Sequence, residues 1–248
     1  MKADWNASTL VVWLCASGMV PVIGIAGVAR RGWHWRHALA GLAAGACMAG
    51  SVLGLRDPLG SMASYSASLM LLNQWVPPLL LMSGPAAQRS RWRGTAAPAP
   101  ARGLAGWLLD PWVGMTVFTT FSVMVSLPGI FEPALANALF SAPLGLLELL
   151  SGLMFWAQLS GSLRTFRYDW QSGLYALAGS LPMMAVATVW MVSADILYMP
   201  YVDVVCQWNI SPLADQHWAG FVMLTMGFPL QLAGAWRLTQ LNMPVLQS

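Results

Sequence analysis

Apolar residues run through this chain in seven long stretches, and short segments between them carry most of the charge. The first stretch runs roughly from Leu10 to Ala29 and stops at Arg30-Arg31. The second runs from about Ala38 to Leu55 and stops at Arg56-Asp57-Pro58. The third runs from about Met62 to Pro85 and contains Asn73, Gln74, Pro77 and Pro78. Asp110-Pro111 opens the fourth, which reaches about Leu127, and Glu132-Pro133 opens the fifth, which ends near Leu159. The sixth covers roughly Gly173 to Ala194, and Ser211-Pro212 opens the seventh, which ends near Arg237. A side-chain oxygen followed by proline is a helix-start signal: the oxygen accepts from free first-turn amides, and proline suits the first helical position. Each stretch has about the length a helix needs to cross a hydrocarbon layer ~30 Å thick. The pattern predicts an all-α fold, a polytopic bundle of seven transmembrane helices in a single domain over residues 1–248. The segment from Gln88 to Gly103, basic and rich in alanine and proline, is expected to be a mobile loop. No internal repeat or soluble module is expected.

Composition strengthens the membrane reading. Charged residues make up 8% of the chain, against roughly 25% in an average soluble domain. So few charges cannot cover a water-exposed surface, so lipid is the expected solvent for most side chains. The N-terminal stretch is longer than a signal-peptide core and has only Lys2 before it, so it is read as a spanning helix rather than a cleaved leader.

Charge then orients the bundle. Ten of the twelve basic residues fall in the loops after stretches one, three and five and in the tail after stretch seven; only Lys2 and Arg56 lie on the other side. Basic loops are retained on the cytoplasmic side, which places the N-terminus outside and the C-terminus in the cytoplasm. Asp57, Glu132, Asp195, Asp203 and Asp215 then lie at or near the outer face. The basic side reflects topology and anionic lipid, with no stacking motif to suggest nucleic acid.

Candidate chemistry is sparse. Glu148 is the one acid deep inside a stretch, where a carboxyl is costly and faces the bundle interior or a cavity. It is either a proton or ligand site or a neutral carboxyl bonded to a neighbouring helix. Asn73-Gln74 precedes Pro77-Pro78, which remove two backbone donors and break or kink the helix. The two amides either satisfy the freed carbonyls or line a small polar pocket. His34 and His37, flanked by Trp33, Trp35 and Arg36, share a face if helical, and read as an interfacial anchor more readily than as a two-ligand metal site. The aromatic segment Asp195–Ile210, with Tyr198, Tyr201 and Trp208, is expected to form an outer aromatic belt. Asp215 and Gln216 are expected to organise the outer start of the last helix, Asp215 by accepting from first-turn amides or pairing with a neighbouring loop. Cys15, Cys47 and Cys206 form no ligand motif, and no nucleophile elbow, phosphate loop or zinc-hydrolase motif occurs. No catalytic residue, no metal ligand and no cofactor are therefore assigned.

One block carries a family resemblance. Ser211-Pro212-Leu213-Ala214-Asp215-Gln216, followed by Ala219-Gly220, resembles the signature opening the last helix of the CtaG family, bacterial seven-span membrane proteins associated with cytochrome c oxidase assembly. Leu197-Tyr198-Met199-Pro200-Tyr201, Pro77-Pro78-Leu79-Leu80 with Gly84-Pro85, and Gly152-Leu153-Met154-Phe155-Trp156 resemble further family pieces, so the match covers roughly residues 35–240. The resemblance implies a non-enzymatic factor in the bacterial inner membrane that assists assembly or maturation of a heme–copper oxidase, with membrane lipid and oxidase subunits as partners. The chain departs from the family at positions where the resemblance implies histidine: Tyr65, Leu69, Ser126, Pro143 and Leu149 stand there. That departure favours a second reading, a permanent accessory subunit of a respiratory oxidase or other membrane metal-enzyme complex. A carrier using Glu148 is a third.

Overall fold

The computed structural model describes residues 5–31, 34–84, 107, 110–130, 132, 138–160, 166, 168–202, 206 and 208–239. The expected mobile loop at 88–103 and the expected helix start at Pro133 lie outside the described residues. The helices are α1 (Ala7–Arg31), α2 (Trp35–Leu55), α3 (Met62–Met70), α4 (Val76–Ser83), α5 (Pro111–Met124), α6 (Ala138–Leu159), α7 (Asp169–Val192) and α8 (Pro212–Thr239). A π turn, Leu71–Trp75, joins α3 to α4, and a short 3₁₀ turn, Met199–Tyr201, lies between α7 and α8.

Five helices, α1, α2, α6, α7 and α8, are long and apolar enough to cross a membrane. The other two expected stretches are shorter as single helices for identifiable reasons. Residues 62–83 are interrupted by the π turn. Helix α5 has 14 residues, about 21 Å of rise, before the chain turns at Val125–Leu127.

Two sequence-encoded starts take the expected form. The Asp110 carboxylate accepts from the amides of Trp112 and Val113 at 2.9 and 3.2 Å, and Pro111 follows as the first helical residue. The Ser211 hydroxyl accepts from Ala214 N at 3.3 Å, and Pro212 opens α8. Glu132 behaves differently: its carboxylate reaches across to the amide of Met199 at 3.2 Å.

Small residues set the helix spacing. A Cβ on Gly45 of α2 would lie 2.7 Å from the Pro21 ring and 2.8 Å from the Ser17 carbonyl oxygen, so α1 and α2 meet at van der Waals distance there. Gly54 sits directly on the carbonyl of Ser64, and Gly220 of α8 would place a Cβ 2.6 Å from the Ala187 carbonyl oxygen of α7. This close approach is how helices bind one another when lipid is as apolar as their side chains. The main core joins Leu55, Tyr65, Leu72, Leu149, Met183, Trp190, Tyr198 and Met223 across six elements. A second cluster stacks Phe118, Phe155 and Tyr175, with ring centroids 4.1 and 4.8 Å apart.

The opposite faces are apolar and exposed. On α8, Trp218, Phe221, Phe228, Leu232 and Trp236 form one outward stripe, while Ala219, Met223, Leu230 and Gly234 face inward. Val11, Val12, Val22 and Ile23 of α1 and Leu53 of α2 are likewise outward. With long apolar helices and an apolar exterior, the protein is a membrane protein.

Pro77 and Pro78 have their effect upstream. Neither carries an N–H for the carbonyls one turn earlier, and the helix widens into the π turn, where Val76 N bonds Leu71 O. The helix is therefore re-registered rather than broken, which turns two adjacent polar residues, Asn73 and Gln74, into the interior. Gly152 of α6 lies against the freed Asn73 carbonyl and the Pro77 ring. Gly152→Ala is expected to destabilise the protein by about 1–3 kcal/mol, because backbone and a proline ring cannot move aside. Gly50→Ala, with nothing within 4 Å of an added Cβ, is expected to be neutral or slightly stabilising. Thermal unfolding in detergent checks the pair; equal midpoints would contradict it.

Candidate functional site

Two polar constellations interrupt the apolar interior, one at the end carrying the start of α8 and one halfway along the bundle. Each is built around residues the sequence singles out.

The end constellation starts from Asp215, in the first turn of α8 and buried at 1% exposure. Its carboxylate turns away from its own helix to the start of α3. Oδ1 accepts from the Ser61 hydroxyl at 2.7 Å and from Ala63 N at 3.3 Å, and Oδ2 accepts from Met62 N at 2.6 Å. The Ser61 oxygen in turn accepts from Ser64 N at 3.2 Å, closing a cap on α3 shared by a serine next to it and an acid 154 residues away. A negative charge suits the free amides of a helix N-terminus. Gln216, next in α8, binds the incoming loop through both ends of its amide: Oε1 accepts from Leu197 N at 2.9 Å and Nε2 donates to Asp195 O at 3.3 Å. The ring of His217 meets Ser193 O at 2.9 Å. Three consecutive residues of α8 thus fix the start of α3 and the end of α7.

The tyrosines complete this clasp and depart from the expected aromatic belt. Tyr198 and Tyr201 are buried, and each hydroxyl donates to a backbone carbonyl, Ser126 O at 2.5 Å and Pro58 O at 2.6 Å. The Tyr198 ring also packs edge-on against Trp190, with centroids 5.5 Å apart. The carbonyls at the end of α5 and in the α2–α3 turn need donors, and a tyrosine hydroxyl supplies one while its ring stays in the core. Trp208 alone of the three is exposed. Burial pushes both tyrosine hydroxyls well above the ordinary range; for Tyr201 the nearby Tyr65, Asp215 and Asp57 push in the same direction.

The middle constellation joins α6 to the π turn. Asn73 Nδ2 donates to Glu148 Oε2 and lies 3.4 Å from Glu148 O and 3.2 Å from the Ser151 hydroxyl oxygen. Ser151 donates to Glu148 O at 2.9 Å. Gln74 Nε2 donates to Asn73 Oδ1 at 3.2 Å. Glu148, Asn73, Gln74 and Ser151 are all buried. The Asn73 amide therefore serves the facing helix rather than the carbonyls freed by the prolines, and Gln74 serves Asn73.

The two histidines read as a pair do not share a helix face, because His34 precedes the first residue of α2. His37 meets Met82 O at 2.7 Å and ties α2 to the end of α4. Trp35 is exposed with the Arg36 guanidinium 6.0 Å from its ring centroid. Among the described residues no three His, Cys, Asp or Glu side chains gather.

The clasp is built largely from the blocks that carried the family resemblance, and comparison over the whole chain agrees. Residues 5–241 match the sequence profile described as cytochrome c oxidase caa3 assembly factor. The chain belongs to that assembly-factor family. No curated protein and no solved structure matches the chain. Of the positions where the resemblance implies histidine, Tyr65, Leu69 and Leu149 lie in the main core, Leu69 and Ser126 line one cavity, and Pro143 faces outward. Ser61 and Ser151 escaped the sequence reading, and Glu132, read as a helix start, bonds Met199 instead. Ser61 stands three residues before Ser64 at the start of an apolar run, an ordinary N-cap signal, whereas nothing local connects Glu132 to Met199.

Asp215→Ala leaves a hydroxyl and two amides, one of them fully buried, without their acceptor, and is expected to cost about 2–4 kcal/mol. Asp215→Asn keeps one acceptor oxygen and is expected to cost about half as much. Unfolding midpoints in detergent measure both, and an Ala variant as stable as the parent would remove the clasp. The tyrosines add a pH limb. Their burial stabilises fully below about pH 10 and less as pH rises further, because only the unfolded chain then ionises. Tyr201→Phe is expected to flatten that alkaline loss; an unaltered limb in both Tyr198→Phe and Tyr201→Phe would contradict it.

Proposed function

We propose that this member of the cytochrome c oxidase assembly-factor family works as a docking partner in the bilayer, without turnover chemistry of its own. The observation that carries the reading is where the family signature spends its polar groups. Asp215 and Gln216 bond the start of α3 and the Asp195–Leu197 loop. Tyr198 and Tyr201 bond backbone carbonyls. These are architectural bonds, and they leave the long apolar exterior as the surface for an immature oxidase and for lipid.

The proposed layout is seven membrane crossings in the bacterial inner membrane, N-terminus outside and C-terminus in the cytoplasm. The arginine distribution supports it. So does α8, whose exposed Trp218 and Trp236 stand about 27 Å apart along the helix, near the spacing of the two headgroup levels. The 62–83 segment and α5 supply the crossings beyond the five long helices. In this layout the Asp215 clasp lies at the outer face.

A permanent accessory subunit is the second reading, favoured by one feature. The interior positions at which the resemblance implies imidazole hold Tyr65, Leu69, Ser126 and Leu149. A helical docking surface persists without those side chains.

Purification in mild detergent separates the two. An assembly factor is expected substoichiometrically and mainly with immature oxidase; a subunit is expected at one copy per mature complex. Absence from both populations would overturn docking altogether. For the layout, single cysteines placed between Arg89 and Arg102 are expected to react only with reagent reaching the cytoplasmic side. Labelling from the outside alone would invert it.

A further inference from the structure

We propose that a small cavity between the π turn, α7 and α8 is a water-binding site, and that its water completes a one-way hydrogen-bond chain ending on Glu148. The cavity is lined by Gln74, Ser180, Met183, Met223, Gly227 and Gln231 among others. It leaves about 10 Å³ for the centre of a water molecule, room for one.

Size alone does not decide the occupant, since a cavity with purely apolar walls stays dry. The walls decide it. Gln74 is 5% exposed, and no described residue bonds its Oε1. An orphaned amide oxygen in a membrane interior is costly, so a donor is called for. Ser180 Oγ donates to Leu177 O at 2.9 Å and keeps its lone pairs for a second partner. Gln231 brings a whole amide from α8 to the same cavity. Three polar partners from three helical elements match the usual coordination of a buried water. The water donates to Gln74 Oε1 and Ser180 Oγ and accepts from the Gln231 amide nitrogen.

The direction of the chain follows from the donors already in place. Gln74 Nε2 donates to Asn73 Oδ1, and Asn73 Nδ2 donates to Glu148 Oε2. With water donating to Gln74 Oε1, every bond points toward the carboxyl, and each donor polarises the next. The acid on α6 is thereby coupled to α7 and α8.

Radiolytic footprinting of the whole protein in detergent tests the site. Ionising radiation forms hydroxyl radical from bound water in place, and a neighbouring thioether is oxidised to the sulfoxide. Met183 and Met223 line the cavity, whereas the equally buried Met62 lines neither this cavity nor the serine-lined one beside it. Met183 and Met223 are expected to label severalfold faster than Met62. Gln74→Leu and, independently, Gln231→Leu are expected to lower Met183 labelling toward the Met62 rate. Equal rates for the three methionines in the native protein would overturn the proposal, whether or not either variant folds. Faster labelling that neither folded variant diminishes would overturn it as well.

Discussion

A charged group inside a bilayer has no bulk water to turn to, so it must find partners within the protein. Asp215 meets this constraint at the point where most of the architecture converges. Its carboxylate occupies the N-terminus of α3 and simultaneously belongs to the first turn of α8. The bond pattern fixes the height of one helix against the other. Everything further along α3 inherits that height, including the π turn that carries Asn73 and Gln74. The buried acid on α6 can meet Asn73 only if α3 is held at that level.

The two constellations thus form one mechanical unit. At the clasp, Gln216, Tyr198 and Tyr201 draw in the end of α7, the end of α5 and the α2–α3 turn. In the middle, the π turn widens the helix ahead of Pro77 and Pro78 so that two adjacent amides face inward, and Gly152 lets α6 approach the carbonyl left without a donor. The clasp spends its hydrogen bonds on holding helices, whereas the middle constellation keeps one oxygen of Gln74 and one of Glu148 without a partner among the described residues.

Much of this was legible in the sequence. The apolar runs and the Asp110-Pro111 and Ser211-Pro212 helix starts are local signals, and local physics decides them. Glu148, Asn73 and Gln74 stood out because polar groups are rare in such runs, yet their mutual bonding was not readable: nothing local says that residue 73 faces residue 148. The same holds for Asp215 and Ser61. Tyr198 and Tyr201 show the opposite limit. Tyrosine near an interface suits a headgroup belt and a buried clasp equally well by composition, and the unpaired carbonyls of Pro58 and Ser126, invisible in sequence, decide between them. The π turn was also hidden, because a proline pair announces a disturbance of the helix but not its form.

Amide hydrogen exchange at the start of α3 tests the central claim most directly. First-turn amides of a helix have no partner within their own helix and exchange quickly when uncapped. With Asp215 seated on them, the amides of Met62 and Ala63 are predicted to exchange as slowly as those in the middle of α3. Exchange at the rate of an open helix end would mean that α8 does not hold α3, and the depth assigned to Asn73 against Glu148 would lose its cause.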